Sequence, residues 1–110
     1  MEKYAFKMKL RPGRESAYER AHDNIWPELV SLLTEAGIRD YSIHFDSESN
    51  TLFGVLWRTD DHGMARLPNS PVMQRWWEAM SEFLEMDDNN MPVATPLRTV
   101  FHMRENRDLP

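Results

Sequence analysis

Hydrophobic positions along the chain follow two periods. Tyr4, Phe6, Met8 and Leu10 alternate with Ala5, Lys7 and Lys9, the period of a strand, and Pro12-Gly13 closes it. From Arg14 the spacing lengthens: Ala17, Ala21, Ile25, Leu29, Leu32, Leu33 and Ala36 recur at helical intervals, and Gly37 supplies the stop. Pro27 lies inside that run. It lacks the N–H that would bond the Asp23 carbonyl, and its ring would clash with that carbonyl, so the helix must kink or break near residues 23–26. Tyr41, Ile43 and Phe45 alternate with Ser42, His44 and Asp46 in a second strand. After the polar turn Ser47-Glu48-Ser49-Asn50, Leu52-Phe53-Gly54-Val55-Leu56-Trp57 is apolar on both faces, which places a third strand centrally in a sheet. A loop or short helix follows through Asp60-Asp61-His62-Gly63. Val72, Met73, Trp76, Trp77, Met80, Phe83 and Leu84 then mark one face of a second long helix. Asp87-Asp88-Asn89-Asn90 with Pro92 and Pro96 is loop, and Leu97, Thr99, Phe101 and Met103 predict a last strand.

The order is βαββαβ, the ferredoxin-like α+β pattern, with both helices on one face of a four-stranded sheet. The other face is expected to carry Tyr, Phe and Trp side chains that a small monomer cannot cover. A second copy is the simplest cover, so a homodimer with sheets face to face is expected. The domain spans residues 1–103, and 104–110 reads as a polar tail.

Composition narrows the classes. A chain of 110 residues makes one domain. The net charge of −5, with no Lys/Arg cluster to offset it, argues against nucleic acid. No apolar run has membrane-spanning length, and lysines occupy the first strand where a signal peptide needs an apolar block. Cysteine is absent, which removes disulfides and thiolate metal sites and favours the cytoplasm.

Candidate chemistry sits in two aromatic stretches. Tyr18 and His22 are spaced i, i+4 and point the same way, just before the Pro27 break. A histidine at a helix C-terminus has its cation favoured by the dipole, which would nudge its pKa above about 6.5 and suit a general acid. A histidine that merely packs on Trp26 at the break fits the same spacing, and spacing alone favours it. Adjacent Trp76 and Trp77 lie about 100° apart on a helix, so one can serve the core while the other lines a pocket; both in the core is the plainer reading. Tyr41 continues the Ile43/Phe45 face and brings a hydroxyl that needs a partner if buried. His44 and Asp46 share a strand face without a third ligand, so no metal site is expected. Asp87-Asp88-Asn89-Asn90 lacks EF-hand spacing and reads as solvated loop. No Gly-rich phosphate loop is present, and the eight methionines read as core gap-fillers.

In these stretches the chain resembles the L-rhamnose mutarotase family. The resemblance runs through Tyr18-x-x-x-His22-x-x-Ile25-Trp26-Pro27-Glu28-Leu29, Asp40-Tyr41-x-Ile43, Gln74-Arg75-Trp76-Trp77-x-x-Met80, and Asn89-x-x-Pro92 with Val100-Phe101. It extends from Tyr4 to Met103; residues 60–71 and the tail depart from it. The resemblance implies a dimeric α/β barrel of ferredoxin-like subunits, with His22 as proton donor and Tyr18, Tyr41, Trp76 and Trp77 contacting a monosaccharide, L-rhamnose or a close analogue. Interconverting pyranose anomers means opening the hemiacetal, turning the C1 aldehyde and closing it on the other face. A positioned acid or base contributes roughly 10²–10⁴-fold to such a step, and no cofactor is needed. The base is open between Tyr18, water and a residue of the partner subunit. Two other classes fit the same fold: a barrel monooxygenase of haem or quinol type, and a sugar-binding dimer without catalysis.

Overall fold

Strand β1 (Glu2–Lys9) is an inner strand of a four-stranded antiparallel sheet, paired on one side with β3 (Thr51–Arg58) and on the other with β4 (Ala94–Leu97). Strand β2 (Ile38–Asp46) borders β3, giving the order β2-β3-β1-β4. Helices α1 (Glu15–Asp23) and α2 (Pro27–Glu35) link β1 to β2. A 3₁₀ segment (Met64–Asn69) and α3 (Pro71–Met80) link β3 to β4. This computed structural model describes residues 1–105. The topology is the expected ferredoxin-like one, with β3 in the sheet interior where its two apolar faces placed it.

Local chemistry explains the punctuation. Pro27 begins α2, where its missing N–H costs no helical bond. The predicted break therefore becomes a full separation of two helices over residues 24–26. Backbone donors from the break close the last turn of α1: Asn24 N–H donates to the Arg20 carbonyl and Ile25 N–H to that of His22, each at 3.2 Å. Gly37 (φ +97°) ends the run after α2; a Cβ there would lie 2.4 Å from Thr59 Oγ1.

Two elements differ from expectation. Helix α3 stops at Met80, because Ser81 turns its hydroxyl and its N–H back onto the Glu78 carbonyl, at 2.6 and 3.2 Å. Phe83 and Leu84 keep the apolar rhythm from turns, and Leu84 bridges to Leu10 at the end of β1. The last strand comprises Ala94–Leu97, earlier than residues 97–103. Pro96 is tolerated because β4 is an edge strand and one side of it has no ladder to supply. Beyond it Val100, Phe101 and Met103 are exposed and belong to no strand. Of the expected tail, residues 106–110 lie outside the described residues.

The core lies between the sheet and the helices, with Leu10, Leu29 and Leu56 closed to about 1% exposure. The tyrosines expected on the opposite face are on this side: Tyr4 and Tyr41 face the helices. The far face carries Phe53, Val55 and Trp57, half-buried and outside the core cluster, among Lys3, Lys7 and Lys9. Among the described residues no helix is long and apolar enough to cross a membrane.

Candidate active site

A cleft of about 770 Å³ opens between the sheet and the helix layer, within the roughly 300–1,000 Å³ span of small-molecule sites. Its walls come from three places. Helix α1 presents Tyr18 and His22 one turn apart, α3 presents Trp76 and Trp77, and β2 presents Tyr41. All five residues singled out in the sequence thus meet in one cavity. His22 is the only histidine among its described lining residues.

Tyr41 owes its direction to a bulge. Arg39 pairs with Trp57 and Ser42 with Val55, so Asp40 and Tyr41 together oppose the single residue Leu56. Asp40 absorbs the kink at φ +47°, a conformation that a short polar side chain tolerates. The extra residue puts Tyr41 on the same side as buried Ile38, three positions away, where strict alternation would separate them. Below Tyr41 lies Phe6, with ring centroids 6.1 Å apart. Phe6 can lie flat across β3 because its partner in the ladder is Gly54, where a Cβ would come within 2.3 Å of the ring.

The helix wall is held by ring contacts. Tyr18 and His22 approach to 4.2 Å between centroids. Trp76 meets His22 edge-on at 5.3 Å and Trp26 edge-on at 5.1 Å. Trp76 is buried, and Trp77 is half-buried at the margin of the same stripe. The two readings of the pair are reconciled: both touch the cleft, and Trp76 also belongs to the core.

Titration follows from this packing. Burial lowers the His22 pKa below its ordinary value, and outweighs the Tyr18 carbonyl hydrogen bond and the Asp23 charge, which raise it. The upward shift expected from the helix terminus is thereby reversed. Burial raises the Tyr18 phenol, and nearby Tyr41 adds to the shift. Tyr41 is 38% exposed as a whole residue, and desolvation in the cleft also raises its phenol. Both tyrosines therefore stay protonated near neutrality, and their hydroxyls keep a proton to donate.

Sequence reasoning passed over several participants. Trp26 braces Trp76, and Phe6 with Gly54 forms the floor. Glu15, Glu19 and Asp23 line the rim at i, i+4, i+8, a spacing that was readable once Tyr18 and His22 were assigned to the cleft. The weaker candidates have local tasks instead. His44 Nε2 lies 3.0 Å from the Ser42 hydroxyl, Asp46 accepts from Glu48 N–H and the Ser49 hydroxyl, and Asp87 Oδ1 accepts from the N–H groups of Asn89 and Met91. No group of three or more potential metal ligands occurs among the described residues.

Known proteins share this sequence pattern and fold. The profile of the L-rhamnose mutarotase family matches residues 3–103. The chain is 64% identical over 102 residues to an L-rhamnose mutarotase of Mesorhizobium japonicum, covering 93% of this chain and 97% of that one. An L-rhamnose mutarotase of Sinorhizobium fredii is 61% identical over 103 residues, covering 94% and 99%. The crystal structure of L-rhamnose mutarotase from Formosa agariphila superposes with a TM-score of 0.87 at 40% identity, covering 94% of this chain and all of that one. A structure from Bordetella bronchiseptica named for an antibiotic biosynthesis monooxygenase superposes at 0.61 with 20% identity, covering 90% and 96%, a likeness of fold alone.

Proposed function

The chain belongs to the L-rhamnose mutarotase family, and from that premise we propose that it interconverts the α and β anomers of L-rhamnopyranose. His22 is the group that exchanges protons with the sugar; Tyr18, Tyr41, Trp76 and Trp77 hold it. The observation that carries this reading is a single histidine set in a cleft of aromatic walls. Indole and phenol rings offer flat faces to the C–H faces of a pyranose, and their O–H and N–H groups meet its hydroxyls. One positioned acid–base group is chemically sufficient for opening and reclosing a hemiacetal. The monooxygenase reading has only the shared fold in its favour.

Two further features go with the proposal. Phe53, Val55 and Trp57 outside the core, with Val100, Phe101 and Met103 exposed, support a homodimer formed through the sheet and the C-terminal segment. A sequence without cysteine accords with a cytoplasmic location.

Exchange NMR of L-rhamnose anomers with and without the protein tests the reaction. Wild type should accelerate exchange, and folded His22→Ala should lose a factor on the order of 10²–10⁴ of that acceleration. Wild-type exchange by a folded His22→Ala would overturn the assignment of His22. Saturable rhamnose binding with no acceleration by wild type would leave a binding protein instead.

A further inference from the structure

Reading the cleft as a mutarotase site leaves open which way the first proton moves, and the hydrogen bonding of His22 bears on it. His22 Nδ1 lies 2.9 Å from the Tyr18 carbonyl oxygen. A carbonyl only accepts, so Nδ1 carries the proton. In a neutral imidazole the lone pair is then on Nε2, which has no protein partner among the described residues on a side chain that lines the cleft. Turning the ring over by about 180° would keep its plane and give up the Tyr18 bond, since a ring carbon would then face the carbonyl.

We propose that resting His22 is a proton acceptor at Nε2, and that ring opening begins when this nitrogen takes the proton of the anomeric hydroxyl. This rests on the mutarotase reading and reverses the donor-first role that the family resemblance implied. The electron pair of the O1–H bond remains on O1, and an O1 pair forms the C1=O1 double bond. The C1–O5 bond breaks, its pair stays on O5, and O5 takes the proton from Nε2. Both oxygens are bonded to C1, so one nitrogen serves both with a small shift. The aldehyde then turns about C1–C2. Closure repeats the exchange in reverse: Nε2 takes the C5 hydroxyl proton, O5 attacks the other face of C1, and O1 recovers the proton. No co-reactant is consumed, and His22 is neutral again after each half.

The surroundings suit a base that becomes a cation only briefly. Around the ring, α1 contributes Tyr18, Glu19 and Asp23, with Glu15 further along the rim. Helix α3 contributes uncharged Trp76 and Trp77, the segment before α2 contributes Trp26, and β2 contributes Tyr41. No lysine or arginine lines the cleft among the described residues, and Arg75 of α3 lies 3.7 Å from Glu28. Burial disfavours a permanent imidazolium, and the Asp23 charge beside the ring favours the transient one.

The test follows kcat/KM for anomer exchange as pH crosses the histidine range around ~6.5, with the uncatalysed rate subtracted. An accepting His22 makes activity rise with pH through the free-enzyme pKa and then level off. A fall of about tenfold per pH unit above that pKa would mean that the protonated ring opens the sugar, and would overturn the proposal. In the free protein at pH 7, ¹⁵N NMR should find Nδ1 protonated and Nε2 bare; the opposite tautomer or an imidazolium would also overturn it. His22→Gln, which keeps a polar side chain without a titrating nitrogen, should lose roughly 10²–10⁴-fold and the rising limb with it. Retention of that limb by folded His22→Gln would assign the base elsewhere. If wild type catalyses no exchange at any pH, the mutarotase reading itself fails, a result distinct from a falling profile.

Discussion

Trp76 and Trp77 are adjacent in sequence and unequal in packing. Trp76 is 7% exposed, with its indole edge-on to both His22 and Trp26. Removing it opens a cavity under the helix wall and withdraws support from the histidine, so Trp76→Ala should lose about 3–5 kcal/mol, read as a lowered denaturant midpoint. Trp77 is half-buried at the cleft edge. Trp77→Ala should stay close to wild-type stability and raise KM for the sugar, since it removes a stacking face more than a core contact. Equal stability loss in the two variants, or unchanged KM in folded Trp77→Ala, would contradict this division. The sequence showed that two adjacent indoles could not both occupy the centre of one narrow stripe. It did not show which would be central, because that depends on Trp26 reaching across from a separate segment.

At the scale of elements, the helix break was legible and the bulge was not. Pro27 ends any helix that runs into it, whatever the tertiary setting. The bulge at Asp40 appears only when β2 is laid beside β3, since residues 41–45 alternate cleanly by themselves. Its one trace in the sequence is that Ile38 and Tyr41, three apart, are both large and apolar. The same limit explains β4: alternation at residues 97–103 signals extended backbone, but not that residues 94–97 would take the edge of β1. The pairing of Phe6 with Gly54 was likewise hidden until the strands were in register, and it leads to a test. In Gly54→Ala the new methyl would meet three ring atoms of Phe6 at 2.3–2.8 Å, so the ring must move. Phe6 touches both Tyr4 and Tyr41, and a displaced ring would carry Tyr41 with it. Overpacking of this kind costs about 1–3 kcal/mol, and sugar affinity should fall although residue 54 is not among those assigned to hold the sugar. Wild-type stability and affinity in Gly54→Ala would show that this close approach is dispensable.

For the whole molecule, the candidate site and the proposed dimer surface lie on opposite faces of one sheet. The helix face holds the cleft, whose tyrosines, counted at first toward the dimer surface, are committed to it. What remains for association is narrower: Phe53, Val55 and Trp57 on the far face, and the extended segment after β4. In that segment Val100, Phe101 and Met103 are 82%, 79% and 79% exposed, and the His102 ring lies 5.4 Å from that of Trp57. That contact draws the segment toward the far face, so the two apolar surfaces adjoin. A twofold dimer uses each such residue twice. Burying a phenylalanine side chain contributes roughly 1.5–3 kcal/mol, so a charge at both copies of Phe101 should weaken the dimer by at least ~10²-fold. Phe101→Glu should therefore shift a wild-type dimer toward monomer at micromolar concentration by light scattering. Its monomer should still fold, because Leu10, Leu29 and Leu56 close the core without help from residue 101. A wild type that is already monomeric would remove the homodimer from the proposal. A Phe101→Glu protein as dimeric as wild type would remove the C-terminal segment from the interface and leave Phe53, Val55 and Trp57 to carry it.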